Sequence, residues 1–268
     1  MLLRILSAVV LVPAVLAGVV YAKPWPFLIT LAIIGTLCLH EYFRLTRAMG
    51  LHAQPAFGYV AFWVLMVGLH GRWIPVEALI AGLLIAAFLA AMWRRESLRD
   101  RAQGLMGNLL GLVYPGLFLY PALPLRFSFG EAQGLQWLII LLFAIWAGDS
   151  VALLAGKSFG RSAFAPLISP KKTNEGALGG LLGSVGAAVM LQHFFFTQLP
   201  LGHVIMLAIL SGIFGQLGDL AESMLKRAAE VKDSSNLIPG HGGVLDRIDS
   251  LLFALPVAYL YLLLLYRR

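Results

Sequence analysis

Asp219, Glu222, Ser223 and Lys226 are spaced i, i+3, i+4 and i+7, so on a continuous helix they share one face. Two acids, a hydroxyl and an ammonium then point at one place. Further on, Asp246 and Asp249 lie three residues apart on one side of the first turns of another apolar helix. Carboxylates are hard oxygen donors of the kind Mg²⁺ takes, usually one or two of them with phosphate oxygens and water. Lys226 and Arg247 beside such an ion would neutralise charge developing on a phosphoryl group in transfer. The spacing points to metal-assisted phosphoryl chemistry, with Asp219, Asp246, Lys226 and Arg247 as candidate catalytic residues. Asp219 and Asp246 are the candidate Mg²⁺ ligands. Asp249 is a candidate for the second sphere or for a second metal ion. Dipole compensation at a helix N-terminus is the competing explanation for Asp246 and Asp249.

Most of these residues lie in the most polar stretch of a very apolar chain, SMLKRAAEVKDSSNLIPGHGGVLDRID, from Ser223 to Asp249. Its Pro239-Gly240-His241-Gly242-Gly243 turn brings glycine backbone close to a ligand, where N–H groups can meet phosphate oxygens. Ser223, Lys226, Arg227, Lys232, Asp233, His241, Gly242 and Gly243 are therefore candidate substrate- and phosphate-binding residues. A second loop of this kind is SPKKTNEG, Ser169 to Gly176, which offers Lys171, Lys172 and Thr173. Asp149 joins the set because it falls inside an apolar run. A carboxylate there costs about 2.5–3.5 kcal/mol on insertion scales, so it is kept for a substrate, an ion or a partner. Eight of the 13 acids fall between Asp149 and Asp249, which leaves the first half of the chain mainly scaffold. No zinc site is legible, since His241 has no Cys or His at ligand spacing.

The elements that position these loops are membrane helices. Of 268 residues, 60% are hydrophobic and 12% charged, and mean hydropathy is +0.85. A soluble domain carries about 25% charged residues. The apolar bias persists to the C-terminus, which excludes a signal peptide on a soluble domain. Runs long enough to span a bilayer predict an all-α, polytopic membrane protein of about nine transmembrane helices. They lie at roughly 5–22, 25–43, 55–71, 74–93, 104–123, 134–156, 177–197, 202–221 and 249–266. The small residues from Gly176 to Gly180, continued at Gly183 and Gly186, predict a tightly packed helix face. Residues 1–130 read as N-terminal scaffold available for dimer contacts, and 131–268 as the catalytic region with its loops.

Basic residues set the orientation. Arg4, Arg44, Arg47, the RRESLRDR segment from Arg94 to Arg101, Lys157, Arg161, Lys171, Lys172, Lys226, Arg227, Lys232 and Arg247 fall on one side of this arrangement. Lys23, Arg72, Arg126, Arg267 and Arg268 fall on the other. The richer side should face the cytoplasm, with RRESLRDR a solvated loop that fixes topology. A net charge of +7 then reflects membrane orientation. No aromatic-interleaved basic stretch supports nucleic-acid binding. The single cysteine, Cys38, excludes an internal disulfide.

The polar stretch from Ser223 to Asp249 resembles the signature of the phosphatidate cytidylyltransferases, also called CDP-diacylglycerol synthases, without departure. GDS at Gly148 to Ser150, FGR at Phe159 to Arg161, SPKKTNEG and GDLAES at Gly218 to Ser223 are similar to the same family. In the N-terminal half the resemblance rests on size and hydropathy, with the polar HEYFRL stretch at His40 to Leu45. The resemblance implies a polytopic enzyme of the bacterial cytoplasmic (inner) membrane. It would join CTP and phosphatidate to give CDP-diacylglycerol and pyrophosphate, with Mg²⁺ at paired metal sites matching Asp219 and Asp246. It also implies a homodimer, active-site loops in the cytoplasm, lipid entering sideways between helices and CTP entering from the cytoplasm. Two other classes compete. A CDP-alcohol phosphatidyltransferase would carry a DG-x2-AR…G…D…D pattern, which this sequence lacks. An ion-coupled transporter would place polar residues near the midplane of several spans, often within an internal repeat.

Overall fold

The computed structural model describes residues 2–238, 240 and 242–266, with side chains described at Val9 and from Val12 onward. Pro239, His241, Arg267, Arg268 and the side chain of Arg4 lie outside the described residues. The chain is almost entirely helical: α1 (Leu2–Tyr21), α2 (Pro24–Ala48), α3 (Pro55–Gly71), α4 (Val76–Met92), α5 (Leu98–Gly111), α6 (Ala122–Phe127), α7 (Glu131–Phe159), α8 (Asn174–Phe195), α9 (Leu201–Ala228) and α10 (Leu245–Tyr261). Between α7 and α8 the expected loop contains a short antiparallel hairpin, β1 (Ala163–Ala165) and β2 (Ser169–Thr173), with Ala163 opposite Thr173.

Among the described residues six helices are long and apolar enough to cross a membrane: Pro24–Ala48, Leu98–Phe127, Glu131–Phe159, Asn174–Phe195, Leu201–Ala228 and Leu245–Tyr266. Of the other three expected spans, two are the shorter apolar helices Pro55–Gly71 and Val76–Met92, and the third is α1, 20 residues long, whose described apolar part is Val12–Tyr21. Seventeen residues reach about 25 Å at 1.5 Å per residue, short of a hydrocarbon core about 30 Å thick. Proline starts α2 and α3, where its missing N–H costs nothing. Leu154, Leu178, Leu182, Phe194 and Phe195 are each well exposed on the helices that carry them. Such apolar surface needs a bilayer to cover it, and the chain is an integral membrane protein.

The chain divides into two compact units. The first comprises 1–18, 22–120 and 225–247. Its centre is Phe62, fully buried, whose ring lies over Gly35 and Gly116, the latter in a π-helical turn at Leu112–Leu117. Tyr42 donates to the Gly107 carbonyl at 2.9 Å, and buried Asn108 accepts from the Gln54 N–H at 3.0 Å. The corner between α4 and α5 is exposed, as expected of RRESLRDR, and its own side chains brace it. Arg101 donates to the Glu96 and Met92 carbonyls at 2.9 and 2.8 Å. Arg94 bonds Glu96 at 2.6 Å, and that hydrogen bond holds the Glu96 carboxyl below the usual carboxylate range. Ser97 caps α5, so the last four residues of the segment apart from Ser97 itself are helical.

The second unit comprises 19–21, 121–224 and 248–268. Its main contact is α7 against α8, made through small residues. Gly148 meets Ser184, Gly180 meets Ala152, Gly179 meets Ala155 and Gly183 meets Val151. Gly186 does not join this face, because a side chain there would meet nothing within 4 Å. Arg126, expected in a loop on the less basic side, is buried at 3% exposure. It donates to the Val19 carbonyl at 2.9 Å and the Glu131 carbonyl at 3.0 Å, so it satisfies carbonyls at the end of α1.

Candidate active site

In the first unit the site is built on Asp246, in the first turn of α10, whose side chain is 5% exposed. Its Oδ1 meets the Lys226 Nζ at 2.6 Å. Its Oδ2 accepts from the Ser234 N–H at 2.9 Å, the Ser234 hydroxyl at 2.9 Å and the Gly243 N–H at 2.7 Å. A buried carboxylate needs such partners, since an unpaired one would be strongly penalised. The loop that supplies them turns back because Gly240 and Gly242 adopt φ of 77° and 80°, open to glycine without strain. Ile238 N–H donates to the Gly242 carbonyl at 2.8 Å and closes that turn. A side chain on Gly242 would meet Asp246 Oδ2 at 2.7 Å, and one on Gly243 would strike Ser234 and Glu41.

The expected residues do not all gather here. Lys226, Gly242, Gly243 and Asp246 come together. Arg227, Lys232, Asp233 and Arg247 are exposed on the same loop and the adjoining helix ends. Arg227 donates to the Val231 carbonyl at 3.3 Å. The Gly243 N–H, expected to face phosphate, is committed to Asp246.

Sequence reasoning missed Glu41, on α2, and the serines that reach it. Glu41 is 1% exposed. It accepts from the Ser234 and Ser235 hydroxyls at 3.0 and 2.5 Å and from the Val244 and Leu245 N–H groups at 3.0 and 2.7 Å. The signal was present: Glu41 is an acid inside an expected span, the criterion that singled out Asp149.

In the second unit the site is built on Asp219, which lies on α9. The β-hairpin delivers Lys172 to it, Nζ to Oδ2 at 2.5 Å, so SPKKTNEG does reach an expected metal ligand. Ser223, one turn on, donates to Asp219 Oδ1 at 3.4 Å. Glu222 is fully buried beside them. Gly218 lies against the Asp249 carbonyl and the Phe253 side chain, so α9 packs on α10 next to Asp219. Asp249 accepts from the Ser250 N–H at 2.7 Å. Thr173 caps α8 by accepting from the Gly176 N–H at 3.1 Å, and Lys171 is exposed. Glu175 ties the FGR turn to α8 by accepting from the Arg161 and Ser162 N–H groups at 3.0 and 3.3 Å. Asp149 is exposed on α7.

Asp219 and Asp246 thus each hold an ammonium within 2.6 Å. Among the described residues no group of three or more His, Cys, Asp or Glu forms a metal cage. Asp219 and Asp246 are each single carboxylates, the kind of ligand that Mg²⁺ takes beside water and substrate phosphate.

The sequence matches the cytidylyltransferase family over residues 2–265. The chain belongs to that family. Among curated proteins it is similar to the phosphatidate cytidylyltransferase of Bacillus subtilis, at 31% identity over 97% of both chains. The Synechocystis phosphatidate cytidylyltransferase is 33% identical over 98% of this chain and 96% of its own. That of Haemophilus influenzae is 34% identical over 98% and 99%. The likeness thus runs the length of the cytidylyltransferase, N-terminal helices included.

Proposed function

We propose that this cytidylyltransferase is a phosphatidate cytidylyltransferase, converting CTP and phosphatidate to CDP-diacylglycerol and pyrophosphate. The observation that carries the reading is the Lys226–Asp246 pair, held by the Ser234 and Gly243 donors within a near-full-length likeness to enzymes of that name. A carboxylate and an ammonium in contact can separate to hold a metal and a phosphate respectively.

In the proposed reaction a phosphate oxygen of phosphatidate bonds to the α-phosphorus of CTP. The bond from that phosphorus to the oxygen bridging to the β-phosphorus breaks, and pyrophosphate leaves with the electron pair. The nucleophile is already anionic, so the protein needs no strong base. Positioning and charge neutralisation dominate. Asp219 and Asp246 are the proposed Mg²⁺ ligands, and Asp249 would serve in the second sphere or at a second metal ion. Mg²⁺ would supply charge neutralisation on the transferred phosphoryl group. Lys172 and Lys226, once released from the aspartates, would bind phosphate oxygens. Arg227, Lys232 and Arg247 are exposed where a soluble triphosphate can reach them. Nine membrane passes, a cytoplasmic face for both polar loops, a bacterial inner-membrane location and a homodimer complete the proposal. The basic-residue asymmetry supports the orientation.

The test supplies purified protein with labelled CTP, phosphatidate and Mg²⁺. We expect labelled CDP-diacylglycerol and stoichiometric pyrophosphate, and loss of both on chelation that added Mg²⁺ reverses. Product only from CDP-diacylglycerol and an alcohol, or none from either pair, overturns the reading.

A further inference from the structure

We infer that Glu41 is a positioning residue for the site, the template on which the Asp246 loop is shaped; the inference rests on the function proposed above. Glu41 is 1% exposed, towards the polar C-terminal end of a helix long and apolar enough to cross a membrane, and a buried carboxylate is expensive without partners. Four donors reach it, one of them the Ser234 hydroxyl whose single proton it shares with Asp246, and their arrangement is specific. Oε1 accepts from the Ser235 hydroxyl and the Val244 N–H. Oε2 accepts from the Ser234 hydroxyl and the Leu245 N–H. Each oxygen therefore takes one hydroxyl, which can rotate, and one backbone N–H, which cannot.

The two amides belong to the start of α10, where N–H groups lack helical partners and ordinarily attract an anion. Glu41 fills that role, so these amides are not open to a substrate phosphate. The next donor back, the Gly243 N–H, goes to Asp246 instead, and the Ser234 hydroxyl lies between both carboxylates at 3.0 and 2.9 Å. Glu41 and Asp246 thus divide the donors of one loop between them. Fixing Val244 and Leu245 fixes the turn of helix from which Asp246 projects. Gly243 must be glycine for the same reason, since a side chain there would strike Ser234 and Glu41.

The decisive variant is Glu41→Gln. A glutamine has one acceptor and one donor, and in either orientation its NH2 faces a backbone N–H. The loop must shift, and a displacement of about 1 Å at reacting groups costs on the order of 100-fold in rate. We expect kcat to fall about 100-fold with a smaller change in the KM for CTP. Glu41→Asp, which keeps the charge, should recover part of the loss. Hydrogen exchange over Val244 and Leu245 should accelerate in Glu41→Gln. Phe62→Leu, a core change elsewhere in the same unit, should lower the melting temperature without altering kcat or that exchange. If Glu41→Gln does not accumulate folded, Ser235→Ala removes one donor and should lower kcat about fivefold. Wild-type kcat in either folded variant, or unchanged exchange at Val244 and Leu245 in Glu41→Gln, overturns the inference. An inactive wild-type protein would overturn the proposed function alone, because the exchange measurement still decides the role of Glu41.

Discussion

At the scale of single residues, Asp246 has the most to lose. One of its oxygens faces an ammonium, and the other accepts three hydrogen bonds. An asparagine must turn its NH2 toward either Lys226 or the three donors, so no orientation satisfies both sides. Asp246→Asn should lower the rate of CDP-diacylglycerol synthesis by at least about 100-fold, the loss expected when several kcal/mol of charge stabilisation go. Turnover assays on protein that elutes as a single folded species in detergent test this. Near-normal turnover would remove Asp246 from the chemistry. The residue scale is also where the structure adds most to the sequence. Thr173 caps a helix, Arg126 binds carbonyls, and Asp149 stands exposed. Residue type and position along the chain do not reveal which neighbour a side chain meets.

At the scale of elements, the α7–α8 interface shows how small residues act when no hydrophobic drive separates helix from lipid. Close approach replaces it, with Gly148, Gly179, Gly180 and Gly183 meeting the partner helix directly. Gly180 and Gly186 look alike in the sequence but differ in surroundings. A methyl group on Gly180 would come within 2.9 Å of Ala152, whereas on Gly186 it would meet open space. Gly180→Ala should therefore destabilise the protein by about 1–3 kcal/mol through overpacking. Gly186→Ala should be neutral or stabilising by up to about 1 kcal/mol, from helix propensity alone. Thermal unfolding of the two variants in the same detergent measures the difference, and equal melting temperatures would refute the interface.

At the scale of the whole molecule, orientation in the membrane decides whether the site can meet a soluble nucleotide. The proposed orientation puts Asn174 and Asn236 on the cytoplasmic side, because the loops that carry them are rich in basic residues. Asn174 and Asn236 are both exposed, while Cys38 is fully buried and gives little background. Asn174→Cys and Asn236→Cys should react with a membrane-impermeant maleimide only after the cytoplasmic face is opened. Labelling of either from the outside in intact cells would reverse the topology.

The sequence alone determined that this is a helical membrane protein with its chemistry in polar loops. It also singled out the stretch from Ser223 to Asp249 as the most polar of the chain, with acids and basic residues side by side. These properties are local: apolar run length, a shared helix face, glycines in a turn and charge on one side of the spans are read within a few residues. Only the tertiary structure decided which charges pair. Lys226 reaches Asp246 across 20 residues of sequence, and a two-stranded hairpin carries Lys172 to Asp219. Glu41 meets Val244 and Leu245 from 203 and 204 residues away. No local pattern encodes such contacts. They arise because a buried carboxylate must find donors, and packing of the apolar faces determines which donors come within reach.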